Sequence, residues 1–230
     1  MLVVRDVTKK FGELIALKNV SFKVDGDECL GIIGPNGAGK TTLFNVISGF
    51  LKPDLGDIKF RGVSITGKKP NKIAKMGLIR TFQIVKVFKN LSVYENILIA
   101  NSYKDSSDIL KDFGLWDKRD VPAKNLSQGE LKKLSIAMAL MAKPKLLLLD
   151  EPFSGLSPKE SKELIDIIRR LKEDGIPQII IEHKLRELFN VIDRVLVLNF
   201  GEIIFEGNPS DAVKDKRVIE AYLGERYARG

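Results

Sequence analysis

The sequence lacks most features that mark disulfide-stabilised, membrane-spanning or secreted proteins. It contains a single cysteine, Cys29, so an internal disulfide framework is excluded. No apolar run approaches the roughly 18 residues that a spanning helix needs. The first residues also lack the basic-then-apolar layout of a secretory signal. We therefore expect a cytoplasmic protein in which Cys29 is a small buried hydrophobe.

Acidic residues are fewer than basic residues in this sequence. The chain has 30 Asp and Glu against 38 Lys and Arg, which gives a net charge of +8. This balance favours anionic partners such as nucleotides, nucleic acid or an anionic membrane face. Aromatic residues do not interleave regularly with the basic ones, as stacking modules for single strands require. We expect no nucleic-acid partner and interpret the charge as solvated surface.

One segment carries a complete phosphate-binding pattern. Residues 34–41 fit G-x-x-x-x-G-K-[ST], with an apolar run before them and a helix-compatible run after them. The glycines permit a tight turn whose N–H groups point at phosphates, and a helix N-terminus adds partial positive charge. Lys40 supplies a point charge for the β- and γ-phosphates, and the Thr41 hydroxyl can ligate Mg²⁺. The predicted nucleotide-binding residues are Gly34, Pro35, Asn36, Gly37, Ala38, Gly39, Lys40, Thr41 and Thr42.

Two carboxylates follow a second apolar run. Leu146–Leu149 is continuously apolar, which is typical of a strand buried on both faces, and Asp150 and Glu151 come directly after it. Ligands of α/β sheets bind at the carboxyl ends of the strands. Asp150 therefore suits Mg²⁺, and Glu151 suits polarisation of a water that attacks the γ-phosphate. Adjacent carboxylates are usually only solvated, but a phosphate loop in the same chain favours the functional interpretation.

The segment Leu126–Glu130 precedes a predicted helix. Ser127 fits the N-cap position and Glu130 the third helical position of a capping box. Free N–H groups at such a helix start also suit an anion. By itself, the segment predicts only a cap.

The order of predicted elements indicates an α/β fold. Short β-branched runs dominate the first third of the chain, and strands later alternate with helices, including a helix at 158–173, a strand at 178–182 and a helix at 184–191. Residues 194–205 predict a hairpin that turns at Phe200 and Gly201. This alternation predicts a mostly parallel sheet.

We predict a single domain over residues 1–230. Its α/β core spans 1–83 and 146–230, and a helical subdomain at about 84–145 is inserted into it, because residues 91–121 carry helical patterns and no strong strand.

Together these segments resemble the nucleotide-binding subunits of ATP-binding-cassette (ABC) transporters. The phosphate loop at 34–42, LSQGE at 126–130, LLLLDE at 146–151 and a histidine after a later strand, His183, occur in the family's order. The resemblance covers essentially the whole chain. It implies an α/β fold with a P-loop NTPase core on a mostly parallel sheet, an N-terminal antiparallel β-subdomain and an inserted α-helical subdomain.

The resemblance also implies ATP hydrolysis, with ATP and Mg²⁺ as ligands. Phe11 matches an aromatic residue that stacks on adenine, and Gln83 matches a glutamine that contacts Mg²⁺ and the attacking water. Ser127 and Gly129 would contact the γ-phosphate bound to a second copy or a paralogous ATPase subunit in a head-to-tail dimer. The implied catalytic residues are Glu151, His183 (a γ-phosphate-sensing switch), Gln83 and Lys40, and the implied metal ligands are Thr41, Gln83 and Asp150.

The implied membrane partners are integral-membrane permease subunits, which would hold the protein on the inner face of the cell membrane. The run at 84–88 lies where the family forms a groove for a permease helix, although subdomain core is an equal alternative. Gln128 and Glu130 depart from the commoner Gly and Gln of the signature, but its Ser and second Gly are retained. Ser157 replaces the usual Asp of a loop that communicates between subunits, so we expect altered dimer coupling.

Three stretches resemble most the ATPases of branched-chain amino acid importers: Phe44–Phe50, Arg80–Gln83 and Leu91–Ile97. Amide and urea importers share such segments, and lipid exporters share some. A soluble cassette ATPase acting on nucleic acid is the alternative class, but it typically has two cassettes or long coiled-coil insertions. A small-molecule P-loop kinase does not explain LSQGE or His183.

Overall fold

The computed structural model describes residues 1–100 and 107–227. Its strands are β1 (Leu2–Phe11), β2 (Leu14–Val24), β3 (Cys29–Ile33), β4 (Leu55–Phe60), β5 (Val63–Ser64), β6 (Leu78–Arg80), β7 (Leu146–Asp150), β8 (Gln178–Ile181), β9 (Arg194–Asn199) and β10 (Glu202–Gly207). Its helices are α1 (Lys40–Ile47), α2 (Pro70–Lys75), α3 (Val93–Ala100), α4 (Ser107–Asp112), α5 (Gln128–Met141), α6 (Pro158–Glu173), α7 (Leu185–Leu188), α8 (Pro209–Ala212) and α9 (Lys216–Tyr227).

A six-stranded sheet in the order β10-β9-β3-β8-β7-β6 forms the centre of the protein. Its strands run parallel except β10, which pairs antiparallel with β9. The leucines of β7 divide between the two faces of the sheet: Leu147 and Leu149 belong to one buried apolar cluster, and Leu146 and Leu148 to the other. A strand buried on both faces is therefore apolar throughout, as the sequence predicted.

A second, four-stranded antiparallel sheet has the order β2-β1-β4-β5. Its buried residues, such as Leu2 and Phe22, share one apolar cluster with Leu43 and Phe44 of α1. The two sheets confirm the predicted α/β fold with an N-terminal antiparallel part. Because β1 ends at Phe11, this sheet brings that aromatic ring towards the loop that precedes α1.

Helices α5 and α6 begin at the residues that the sequence indicated. Ser127 and Ser157 cap them, and each helix has a complete capping box with a glutamate three residues later. Helix α6 spans the predicted residues and buries Leu164, Ile168 and Leu171 as one stripe. Helices α3, α4 and α5 lie within residues 84–145, but the division into subdomains stays a prediction, and part of its helical region, 101–106, lies outside the described residues.

Several element lengths differ from the predictions. The predicted helix at 184–191 forms only over Leu185–Leu188, because the Val191 and Ile192 N–H groups both donate to the Leu188 carbonyl and turn the chain towards β9. Strand β1 is much longer than the apolar run at its start, since its charged residues occupy the solvent face. Within the described residues, no helix combines the length and apolar character needed to cross a membrane.

Candidate functional site

The loop after β3 depends on glycines in the left-handed region. Gly34 has φ 150° and Gly39 has φ 103°. A Cβ at Gly34 would lie 2.1 Å from the Leu198 carbonyl oxygen, and one at Gly39 would lie 2.5 Å from the Ala16 carbonyl oxygen. Neither position has room for a side chain, so the loop can adopt its tight path only with glycine. Helix α1 starts directly after Gly39, and its free N–H groups therefore point towards the loop.

Lys40, the first residue of α1, folds back over this loop. Its Nζ donates to the carbonyl oxygens of Gly34 at 2.7 Å and Pro35 at 2.9 Å, and the residue is only 5% exposed. These bonds hold the ammonium group inside the curve of the loop. Phosphate oxygens entering the loop would meet this charge together with the positive end of α1.

The loop forms one wall of a groove of about 420 Å³. Residues 36–42 line it together with Phe11, Glu151 and His183. The groove therefore gathers residues from the phosphate loop, the tip of β1 and the ends of β7 and β8. Its volume lies within the usual range for small-molecule sites. The aromatic ring and the phosphate loop fit the two ends of a nucleotide, so the residues present fit ATP.

Three of the predicted catalytic side chains contact one another. Gln83 Nε2 donates to Glu151 Oε2 at 2.7 Å, and His183 Nε2 lies 3.2 Å from Glu151 Oε1. Glu151 thus joins the segment that follows β6 to the segment that follows β8. The parallel order of β8, β7 and β6 produces this meeting, because the carboxyl ends of these strands share one edge of the sheet.

Glu151 has a strained backbone as well as a central side chain. Its φ is 48°, in the left-handed region that costs non-glycine residues roughly 1–2 kcal/mol. Three hydrogen bonds hold this conformation, the longest of them from the Ser154 N–H to the Glu151 carbonyl at 3.3 Å. The Glu151 N–H donates to the Ile181 carbonyl at 2.9 Å, and Lys132 Nζ donates to the Glu151 carbonyl at 2.7 Å. Such strain persists only where the surroundings fix it, and it is common at active sites.

Lys132, on α5, is a site residue that the sequence analysis missed. Its Nζ also lies 3.4 Å from the Gln83 carbonyl oxygen, so one amine contacts the backbones of two candidate catalytic residues. Burial lowers the pKa of Lys132, and the carboxylates of Glu182, Glu151 and Asp150 oppose that shift. Its position three residues after Gly129 could have indicated it from the sequence, because that spacing places Lys132 on the buried face of α5.

Glu182 is the second residue that the sequence analysis missed. Its side chain is 1% exposed and accepts three backbone N–H groups, from Phe153 at 2.6 Å, His183 at 2.7 Å and Lys184 at 3.0 Å. Burial raises the pKa of this carboxyl, while the three N–H donors favour its charged form. Glu182 therefore fixes the start of the His183 segment against the loop after Glu151.

Asp150 forms a buried ion pair with Arg80, with Arg80 Nη2 at 2.8 Å from Asp150 Oδ2. Arg80 also donates to Asn45 at 2.7 Å and lies over the Phe44 and Phe82 rings. The predicted metal ligands Thr41, Gln83 and Asp150 are all oxygen donors, the type that Mg²⁺ prefers, so the donor set fits this ion. Within the described part of the chain, no group of three or more His, Cys, Asp and Glu side chains forms a metal site.

Ser127 and Gly129 lie apart from the other predicted site residues. In the described residues neither lines the groove, and both instead contact α6: Ser127 Oγ donates to Glu160 Oε1 at 3.0 Å, and the Gly129 N–H donates to the same oxygen at 3.2 Å. The start of α5 therefore presents its donors to a carboxylate of the same chain.

Two protein-family models match the sequence. One, for the ABC transporter, matches residues 17–154, and one for the branched-chain amino acid ATP-binding cassette transporter matches residues 202–228. The high-affinity branched-chain amino acid transport ATP-binding protein LivG of Salmonella typhimurium is 36% identical over 250 residues and covers 98% of each chain. The probable LivG protein of Methanocaldococcus jannaschii is also 36% identical, again with 98% of each chain covered.

Solved structures agree with these matches. The ADP conformation of an ATP-binding cassette of an ABC transporter is 36% identical, with a TM-score of 0.91 over 97% of this chain and 98% of that chain. A dimeric cassette structure in a post-hydrolysis state, bound to ADP and Pi, is 26% identical with a TM-score of 0.79, over 91% of this chain and 99% of that chain. The similarity thus includes the groove as well as the sheets.

Proposed function

The chain belongs to the ABC transporter family of ATP-binding subunits and is an ATPase, and we propose that it powers the import of branched-chain amino acids through membrane partner subunits. The 36% identity to LivG over 98% of each chain carries the transport part of this proposal, and the contact of Glu151 with both Gln83 and His183 at the mouth of the phosphate loop carries the hydrolysis part. That arrangement provides a base, a water-orienting amide and a γ-phosphate sensor at one point.

Hydrolysis in this groove requires positioning and charge stabilisation more than covalent chemistry. Glu151 accepts a proton from the water that attacks the γ-phosphorus, while the bond to the β-phosphate oxygen breaks. Gln83 orients that water, and Lys40 and His183 stabilise the charge on the γ-phosphate. Thr41, Gln83 and Asp150 would hold Mg²⁺, which would supply charge stabilisation. Phe11 stacks on the adenine.

The second half of the site comes from another cassette. Ser127 and Gly129 are outside the groove of their own chain, so they serve the γ-phosphate of a partner in a head-to-tail dimer. The dimeric cassette relative supports this assembly. The partner is a second copy or a paralogous ATPase subunit.

An exposed apolar surface supports a membrane partner. Ile84 is 80% exposed and Phe88 51% exposed, so this part of the run is not subdomain core. Phe50 is also exposed, and its ring meets the edge of Phe82 at 5.7 Å between ring centroids. Contiguous exposed apolar residues are typical of interaction sites. Ile84 directly follows Gln83 in sequence, so a permease helix seated there would lie close to Gln83.

A hydrolysis assay tests the catalytic part of the proposal. We expect Glu151→Gln to lower ATP turnover roughly 10²–10⁴-fold, the usual scale for a general base, while ATP affinity stays within a few fold. Glu163→Gln, with the same charge change on the outer part of α6, is the control and should turn over normally. Unchanged hydrolysis in Glu151→Gln would refute the role of this carboxylate.

A pull-down and an uptake assay test the transport part. Tagged Glu151→Gln protein, incubated with Mg-ATP at high salt, should recover integral-membrane polypeptides from detergent-solubilised membranes, because salt weakens purely electrostatic adhesion. Cells that carry only this variant should lose uptake of labelled leucine, isoleucine and valine. Loss of amide or urea uptake instead would indicate that amides or urea are the substrate. Recovery of nucleic acid alone would refute the proposal that the protein is a transporter subunit.

A further inference from the structure

The carboxylate of Glu160 occupies the donors that the signature segment would offer to a phosphate. Its Oε1 accepts from Ser127 Oγ at 3.0 Å and from the Gly129 N–H at 3.2 Å. Its Oε2 accepts from Ser157, from the N–H at 3.0 Å and from the hydroxyl at 2.8 Å. One carboxylate therefore bridges the N-termini of α5 and α6.

The fit of Glu160 against α5 is close. A Cβ at Gly129 would lie 2.6 Å from Glu160 Oε1, so only a glycine lets the carboxylate reach this position. The hydrogen bonds from Ser157, Ser127 and Gly129 lower the pKa of Glu160 to about 2, which keeps the group charged at every working pH. The site thus already holds an anion, seated where two helix N-termini converge.

We infer that Glu160 is an internal substitute for the γ-phosphate, and that the partner's ATP must displace it from Ser127 and Gly129 when two cassettes close. This inference rests on the head-to-tail dimer proposed above. Before closure the carboxylate satisfies the donors of α5. On closure a phosphate with the same sign of charge takes them, and Glu160 keeps its bonds to Ser157 alone.

The displacement costs free energy, because the departing carboxylate stays close to the incoming phosphate. Like charges juxtaposed across an interface strongly oppose association. Ser157 contributes to this repulsion, since its N–H and hydroxyl hold the Glu160 carboxylate at the start of α6. The usual Asp at this position would repel that carboxylate instead. Ser157 and Glu160 together therefore make the closed dimer weaker and more dependent on ATP.

Glu160→Gln is the matched substitution. Glutamine keeps the capping box, because a capping box accepts Glu or Gln at the third helical position. It removes the charge that opposes the phosphate together with one acceptor oxygen, so the amide oxygen can accept from Ser157 or from the Ser127 and Gly129 donors but not from both. Glu163→Gln is the control: Glu163 also joins α6 to α5, through Lys133, and its loss changes the net charge equally. Both substitutions are placed in Glu151→Gln protein, so that bound ATP persists.

Analytical ultracentrifugation with Mg-ATP measures the dimer Kd of the three proteins. Each dimer contains two such sites, so a gain of about tenfold at each predicts a Kd about 100-fold lower with Glu160→Gln. The Glu163→Gln control should match the parent, and none should dimerise with ADP. A Glu160→Gln dimer that is equal to the parent's or weaker overturns the inference and leaves the dimer intact.

Separate measurements keep the two proposals distinguishable. Binding of a fluorescent ATP analogue to the monomers should be the same for Glu160→Gln and Glu163→Gln, and thermal unfolding checks that both proteins are folded at the assay temperature. If only the Glu160→Gln protein forms an ATP-dependent dimer, the inference is supported in its strongest form. If none of the three proteins dimerises although all bind ATP, the head-to-tail assembly is refuted and the inference with it.

Discussion

Replacement of Lys132 by methionine tests how the catalytic carboxylate is held in place. The Lys132 ammonium donates to the Glu151 carbonyl at 2.7 Å and lies 3.4 Å from the Gln83 carbonyl oxygen. Methionine fills a similar volume but provides no donor and no charge. The strained Glu151 backbone would then keep its N–H bond to the Ile181 carbonyl and the longer bond that its own carbonyl accepts from the Ser154 N–H at 3.3 Å.

The magnitude follows from the lost bond. A hydrogen bond to a charged donor contributes roughly 1.5–3 kcal/mol, and the Glu151 carbonyl would keep only the longer bond from the Ser154 N–H. Methionine also removes the cost of burying the ammonium charge, which offsets part of the lost hydrogen-bond energy. We expect Lys132→Met to lower the free energy of unfolding by about 2 kcal/mol. For a chain of this size that is a fall in Tm of about 4–8 °C.

The kinetic effect should fall on kcat. A displacement of about 1 Å at a reacting group costs roughly 10²-fold in rate, so we expect kcat to drop about 10–100-fold. The KM for ATP should stay within about threefold, because Lys132 contacts backbone carbonyls of Glu151 and Gln83 and does not line the nucleotide groove in the described residues. Steady-state hydrolysis and thermal unfolding measure both quantities.

A neighbouring lysine provides the control. Lys133→Met removes the ion pair with Glu163, which is partly exposed and worth below about 1 kcal/mol, so it should leave kcat unchanged. Two results would refute the reasoning. The first is a normal Tm and kcat in Lys132→Met. The second is a raised KM with a normal kcat, which would mean that Lys132 serves nucleotide binding.

Two further predictions concern the phosphate loop and Glu160. Gly39→Ala should weaken ATP binding at least about tenfold and cost about 2 kcal/mol or more of stability, since φ is 103° and a Cβ would meet the Ala16 carbonyl at 2.5 Å. Gly12→Ala is the control, because Gly12 is also at positive φ but has open space around a Cβ. Nucleotide titration and thermal unfolding measure both variants, and equal effects would contradict the argument. The pKa of Glu160 falls from 4.5 to about 2 on folding, so the stabilisation from this carboxylate is present above pH 4.5 and is lost as the pH falls towards 2. The free energy of unfolding, measured with urea across this range, should therefore depend less steeply on pH for Glu160→Gln than for the natural protein. Parallel curves would contradict the prediction.

Most of the fold could be predicted because local patterns and tertiary packing agree. The apolar run of β7 and the apolar stripe of α6 each match one regular structure, and their caps confirm the helix starts. The length of α7 could not be predicted, because the turn into β9, in which the Val191 and Ile192 N–H groups donate to the Leu188 carbonyl, decides it. The full length of β1 was missed for a similar reason, since pairing with β2 and β4 extends a strand whose solvent face is charged.

The site was predictable where it depends on strand order. Lys40, Glu151 and His183 each follow a strand of one parallel sheet, and such strand ends meet at one edge. The contacts between distant elements could not be predicted. Lys132 reaches the loop after β7 from α5, and Glu160 reaches the signature segment from α6. Each is an ordinary polar residue on a helix until the packing of the two elements is known.

The two outer strands of the central sheet have a consequence for how copies of this protein can associate. Strand β6, at one border, is only Leu78–Arg80. Strand β10, at the other, carries Glu202 and Glu206 and has a register shift between Ile203 and Phe205. Short, bulged and negatively charged borders are poor templates for a further strand. Neither border therefore favours the strand-to-strand polymerisation that leads to amyloid, and the proposed dimer would form through helix ends and loops instead.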